Sequence, residues 1–148
     1  MFLGFRIDMK SKILEHIQTL CQHYQIDSLY VFGSQAKEVF QYVHGSSRMS
    51  DRKGVDVDVG VLPAKYYVLN PKERIRLTID MEDLLEVCSV DLVVLSEISP
   101  FLALEVIKGE LLYTADPDQT AEYELYVLRV AGDLAYFEYQ RRGQLLKY

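Results

Sequence analysis

The chain has 148 residues, of which 49% are hydrophobic and 26% charged, so it is long and apolar enough to bury one domain core and is not built like a disordered chain. Its formal net charge is −6, the wrong sign for a broad surface that coats duplex nucleic acid. No stretch approaches ~18 consecutive apolar residues, and the opening MFLGFRIDMK has neither the basic nor the long apolar region of a secretory signal, so neither a membrane span nor secretion is expected. Cys21 and Cys88 lie far apart, outside any CxxC or Cys/His spacing. Reduced thiols in the cytoplasm are the expectation, not a disulfide framework or a zinc site.

Residues 8–24 place Ile13, Leu14, Ile17, Leu20, Cys21 and Tyr24 at helical spacing and predict an amphipathic helix. Residues 28–32, SLYVF, are β-branched and aromatic and predict a short buried strand ending at Gly33. A short helix over 35–43 follows, then a polar loop, HGSSRMSDRKG, over 44–54. Residues 55–62, VDVDVGVL, alternate, with Val55, Val57, Val59 and Val61 on one face and Asp56, Asp58 and Gly60 on the other. Asn70-Pro71 reads as an N-cap with proline in the first turn, opening a helix over 71–87 that carries Leu77, Met81, Leu84, Leu85 and Cys88 along one side. A third strand is predicted over 90–95. Ser99-Pro100 opens another helix, which Gly109 is placed to end, and ELLYT at 110–114 reads as a short edge strand. Asp116-Pro117 begins a last helix over about 117–142, with an apolar line through Tyr123, Tyr126, Val127, Val130, Leu134 and Phe137. Strands separated by helices predict an α/β fold, a small sheet flanked by helices. With no linker and no repeat, residues 1–148 read as a single domain, in which only the helical segment at about 117–148 resembles an appendage.

Asp56 and Asp58 are the most informative pair. Residues i and i+2 of a strand share a face, so the two carboxylates project together, repelling each other unless a cation lies between them. Asp91 opens the next apolar strand, 33 residues after Asp58. Three carboxylates at one end of a sheet are hard oxygen ligands suited to Mg²⁺, and two such ions ~3.5–4 Å apart can clamp an in-line displacement at phosphorus. The plainer alternative is a solvated edge pair and an Asp that caps a strand. Gly33-Ser34 lies between a strand and a helix, where glycine lets a ligand approach the backbone and serine offers a hydroxyl to an anion. Its plainer alternative is a turn with a serine N-cap. Neither GxxxxGK[ST] nor GxGxxG occurs.

Taken together, Leu29-Tyr30-Val31-Phe32-Gly33-Ser34, Val55-Asp56-Val57-Asp58-Val59-Gly60-Val61 and Val90-Asp91-Leu92-Val93-Val94 make the chain resemble the minimal nucleotidyltransferases. The run from Leu102 to Tyr113, LALEVIKGELLY, looks like the tail of the MntA-type antitoxins that partner HEPN-domain ribonuclease toxins. The resemblance implies a palm-like mixed sheet with a long C-terminal helix. It implies nucleotide binding at Gly33 and Ser34, and two Mg²⁺ ions held by Asp56, Asp58 and Asp91, with Asp91 or Asp58 helping to deprotonate the acceptor. The implied activity is transfer of AMP from ATP to a tyrosine of a HEPN toxin, which would place negative charge where RNA must bind.

The chain departs from the family in two places. Residues 35–55 make the interval between Gly-Ser and the Asp pair longer than the family's usual one, and imply an insertion around 40–53. A second pair, Gly45-Ser46, stands nearer the family spacing but follows no apolar strand. Gln35 stands where the family often has arginine, which leaves Lys37, Arg52, Lys53 or Lys65 as candidates to neutralise phosphate. His16, His23 and His44 show no metal or triad spacing, and Ser46, Ser47 and Ser50 have no nucleophile context. The aromatic surplus of the last helix, Tyr123, Tyr126, Tyr136, Phe137 and Tyr139, suggests a partner surface. An adenylyltransferase antitoxin is therefore expected. A non-catalytic antitoxin that neutralises by binding, and a small-molecule nucleotidyltransferase, are the alternatives.

Overall fold

A computed structural model describes residues 2–45 and 55–146, with side chains over 12–45 and 55–144. In chain order the elements are α1 (Phe2–His23), β1 (Ile26–Phe32), α2 (Ala36–Val43), β2 (Asp56–Pro63), α3 (Pro71–Leu85), β3 (Ser89–Val94), α4 (Pro100–Ile107), β4 (Glu110–Thr114) and α5 (Pro117–Leu146). The four strands form one mixed sheet in the order β3-β2-β1-β4. β1 is antiparallel to both β2 and β4, whereas β2 and β3 are parallel and joined through α3. This is the predicted small mixed sheet flanked by helices, with the long terminal helix.

Each face of the sheet takes its own helices. The valines of β2, Val57, Val59 and Val61, face a large core shared with Ile17 and Cys21 of α1, Val39 and Val43 of α2, and Leu77, Met81 and Leu85 of α3. Burial of Cys21 pushes its thiol up to about 12, so it behaves as a small apolar side chain. The opposite face carries a smaller core of Tyr30, Leu95, Ala103, Val106 and Val127 beneath α4 and α5. α5 is fastened here by buried polar groups. Tyr30 donates its phenol proton to Glu124 Oε1 at 2.7 Å, and the Thr120 hydroxyl bridges Ser28 at 2.8 Å and Thr114 at 2.7 Å.

The caps read from sequence are in place. Asn70 and Glu73 form a reciprocal capping box at the start of α3, and Ser99 accepts from Leu102 N at the start of α4. Two expectations need correction. α3 stops at Leu85, because Glu86 takes a left-handed conformation at φ +54 and turns the chain away, leaving Cys88 exposed instead of on the helix's buried side. The apolar line of α5 is buried at Val127, while Tyr126 is 53% and Phe137 70% exposed. Among the described residues Ala131 is the last buried position of α5, and the helix beyond it joins neither core cluster. Of the predicted 44–54 loop, residues 46–54 lie outside the described residues, as do Ser46, Ser47, Ser50, Arg52 and Lys53.

Candidate active site

The strand register decides which candidate residues meet. Asp58 is paired with Asp91 on the parallel neighbour and with Phe32 on the antiparallel one. Adjacent strands lie roughly 5 Å apart, and directly paired residues share a face. Asp56, two residues upstream, shares that face and is paired with Ser89. All three carboxylates therefore stand at one end of the sheet, on the α4/α5 side, beyond the reach of the apolar patch that those helices cover. Asp56 and Asp91 are exposed, and Asp58 is half-buried between them.

Electrostatics follow from that placement. The Asp58 carboxyl is raised above its usual range, first by burial, then by the charges of Asp91 and of Asp56. Each of the other two carboxylates thus acts on Asp58. Among the described residues, no three His, Cys, Asp or Glu side chains are drawn together as a metal cage. The carboxylates share a face and a field but stand apart, as like charges do. As donors they are hard, anionic oxygens on rigid strands, a set that fits Mg²⁺ better than a softer ion.

Gly33 stands against Asp58, and Ser34 follows it in the same turn. Gly33 has φ +77, a left-handed conformation, and opens a 3₁₀ turn over Gly33–Gln35 that leads into α2. A Cβ on Gly33 would lie 2.5 Å from Asp58 Oδ2, so the bare backbone is what lets the turn sit against the acid. Ser34 is exposed and is not a helix cap: that position belongs to Gln35, with no side-chain capping bond. The plainer reading of Ser34 as an N-cap is thereby excluded.

A cleft of about 420 Å³ opens on the other side of this turn, lined by Gly33, Ser34, Ala36 and Lys37 from one wall and Glu105, Lys108, Gly109 and Glu110 from the other. Of the cations considered from sequence, Lys37 belongs to this cleft. Lys65 does not. It follows β2 at the far end of the sheet and lies over the Tyr66 ring, 5.3 Å from its centroid. Lys108, within the run LALEVIKGELLY, also lines this cleft, although Lys-Gly after an apolar helix reads locally as a stop signal.

A larger groove of about 740 Å³ lies on the opposite face of the sheet, between α1 and α3, with His16, His23, Tyr24 and Asp80 among its lining. It contains none of the three aspartates or the Gly-Ser turn. His16 and His23 are exposed there, and His44 bonds the Phe40 carbonyl at 2.8 Å, so the histidines have ordinary structural surroundings.

No curated protein matches the chain in sequence. Among solved structures, a chain of the crystal structure of a toxin–antitoxin with AMP-PNP matches with a TM-score of 0.63 at 19% identity, over 90% of this chain and 98% of that one. A chain from the tri-AMPylated Shewanella oneidensis HEPN toxin in complex with MNT antitoxin matches with a TM-score of 0.62 at 18% identity, over 93% and 99%. A chain of the MntA–HepT toxin–antitoxin matches with a TM-score of 0.62 at 16% identity, over 92% and 98%. At these identities the likeness is one of fold. The profile of the family described as polymerase beta, nucleotidyltransferase matches residues 15–118, which span both the Gly-Ser turn and all three aspartates. The chain belongs to that nucleotidyltransferase family.

Proposed function

We propose that the protein is an antitoxin that transfers AMP from ATP to a tyrosine of a cognate HEPN-type ribonuclease. The observation that carries this reading is the pairing of Asp58 with Asp91 at the strand end that also places Gly33 against Asp58. Family membership supports nucleotidyl transfer. The protein–AMP chemistry and the partner are supported by the fold shared with complexes that contain AMP-PNP or an AMPylated HEPN toxin.

In this reading Asp56, Asp58 and Asp91 are the residues that would hold Mg²⁺, as two ions in a full site. Bound there, Mg²⁺ would neutralise phosphate oxygens and the charge that builds up on the leaving group. Gly33 presents backbone and Ser34 its hydroxyl to the triphosphate. Asp91, exposed on the edge strand β3, faces the side from which a macromolecular acceptor can arrive. It takes the proton of the tyrosine hydroxyl. The phenolic oxygen forms its bond to the α-phosphorus as the bond to the bridging oxygen breaks, and pyrophosphate leaves. Asp58 is held in place by its half-buried position, so its role is to fix geometry as much as charge. The exposed Cys88 thiol fits a reducing compartment, and the proposed place of action is the cytoplasm. No helix among the described residues is long and apolar enough to cross a membrane.

A second reading is neutralisation by binding alone. The observation favouring it is the exposed apolar surface of distal α5, including Tyr136 and Tyr139. One experiment separates the two: intact mass of the toxin after incubation with this protein, ATP and Mg²⁺, beside an Asp56→Ala/Asp58→Ala control. Transfer predicts a gain of one or more AMP units that the control lacks. An unmodified toxin silenced in a stoichiometric complex would leave only the binding reading.

A further inference from the structure

We propose that Lys108, with Lys37 on the opposite wall of the cleft, binds the β- and γ-phosphates of the nucleotide, and that Glu105 competes with those phosphates for Lys108. The inference rests on the nucleotide reading above and adds the direction in which the triphosphate lies.

The Gly33-Ser34 turn has two sides. On one, Gly33 touches the Asp58 carboxylate, which is paired in register with Asp91. On the other is the cleft containing Lys37 and Lys108. The close approach of Gly109 sets the second wall. A Cβ there would come within 2.9 Å of Phe32 Cα and Cβ and closer still to the Val31 carbonyl. The end of α4 is thus pressed onto β1 one residue before Gly33, and Lys108 is held beside the turn by backbone contact. A triphosphate crossing the turn would have the aspartates, and any cation that they bind, at its α end and two ammonium groups at the other. The leaving pyrophosphate then lies toward β4, and the acceptor enters from the β3 edge.

Both lysines line the cleft, and Lys37 is exposed. Among the described residues the ion pair of Lys108 is a loose one, with Glu105 at 3.8 Å one helical turn back, and the two side chains are 62% and 66% exposed. Such a pair adds little to folding. Glu105 and Glu110 also line the cleft and oppose an anion, so Lys108 must exchange Glu105 for phosphate when nucleotide binds. A lysine that merely complements the carbonyl end of α4 would have no such exchange.

The test is calorimetric binding of Mg–ATP, Mg–ADP and AMP to the full chain, without toxin. Lys108→Ala is expected to weaken ATP by roughly tenfold or more, ADP by less and AMP hardly at all, since charge-assisted bonds to phosphate are lost one phosphate at a time. Lys108→Arg retains most of the affinity, Glu105→Gln tightens ATP several-fold, and Lys72→Ala, on the remote α3, changes nothing. Thermal melting confirms that each variant is folded. Undiminished ATP binding by Lys108→Ala, an equal loss for ATP and AMP, or no gain from Glu105→Gln overturns the assignment. A wild-type protein that binds no ATP would overturn the nucleotidyltransferase reading itself, a different result from wild-type binding that ignores Lys108.

Discussion

Replacing Gly33 with alanine tests whether the turn and the carboxylate face depend on each other. At φ +77 an L side chain costs ~1–2 kcal/mol. The new Cβ would lie 2.5 Å from Asp58 Oδ2, but 3.5 Å from Cγ and 3.8 Å from Cβ of the same residue. Only the tip of the carboxylate is in the way. Turning it aside by roughly 1 Å restores ordinary non-bonded separation, so the fold bears little beyond the backbone strain. The expected loss is ~1–2 kcal/mol in urea denaturation with unchanged m-value, or about 2–8 °C in melting temperature for a chain of this size. Transfer should suffer far more, because displacing an active-site group by ~1 Å costs on the order of 100-fold in rate. The assay is AMP transfer at saturating ATP, run beside the denaturation curve. A stability loss with full transfer would refute the coupling of Gly33 to Asp58 in catalysis. No stability loss would refute the left-handed turn.

The remaining predictions concern charge and anchoring. Asp58 has a raised folded pKa, through burial, then Asp91, then Asp56. Such a group contributes stability below its unfolded pKa and loses that contribution as pH rises through the folded value, so its ionised form opposes folding at neutral pH. Asp58→Asn is expected to melt above the wild type at neutral pH, the gap closing below ~pH 4; a lower-melting variant contradicts this. Millimolar Mg²⁺ should raise the melting temperature of the wild type and not of Asp58→Asn, and equal shifts would remove Asp58 from the ligand set. Tyr30→Phe strips the half-buried Glu124 of its phenol donor and should cost ~1–3 kcal/mol in chemical denaturation, with no measurable cost showing that α5 is held otherwise. Asn70→Ala removes the capping box of α3 at a cost of ~1 kcal/mol, and an unchanged midpoint would mean that the cap is replaced by water.

Much of the element order is legible in the chain because local signals agree. The alternation of β2 survives as buried Val57, Val59 and Val61, since a strand with one core face must keep a period of two. Proline-containing caps mark α3 and α4 to the residue, because proline at N1 and a side-chain acceptor before it have a local cause. The ends of helices are less legible. α3 stops on the left-handed Glu86, a residue type that carries no stop signal. α5 shows an aromatic stripe whose periodicity says that one side is apolar but not how far the underlying sheet extends. Tyr139 is 78% exposed for that reason. The Gly-Ser turn and the three aspartates are each visible in sequence as residue types suited to phosphate and metal. The place of Lys108 in the cleft is not legible in the same way, because a cation at the end of a helix has an equally good local explanation.

The sequence by itself determines that Asp56 and Asp58 share a strand face, because the two-residue period of a strand is a local property of the backbone. It also determines that Gly33 can take, without strain, a left-handed conformation that costs other residues. It does not determine register. Whether Asp91 meets Asp58 or slides past it is decided by the parallel pairing of β2 with β3, strands joined through α3, which shares the core with them. Nor does it determine that the end of α4 presses onto β1, which follows from Gly109 meeting Val31 and Phe32 far away in sequence. Local chemistry supplies the candidate groups. Contacts between distant segments, stabilised only when the whole core is formed, decide which of them face one another.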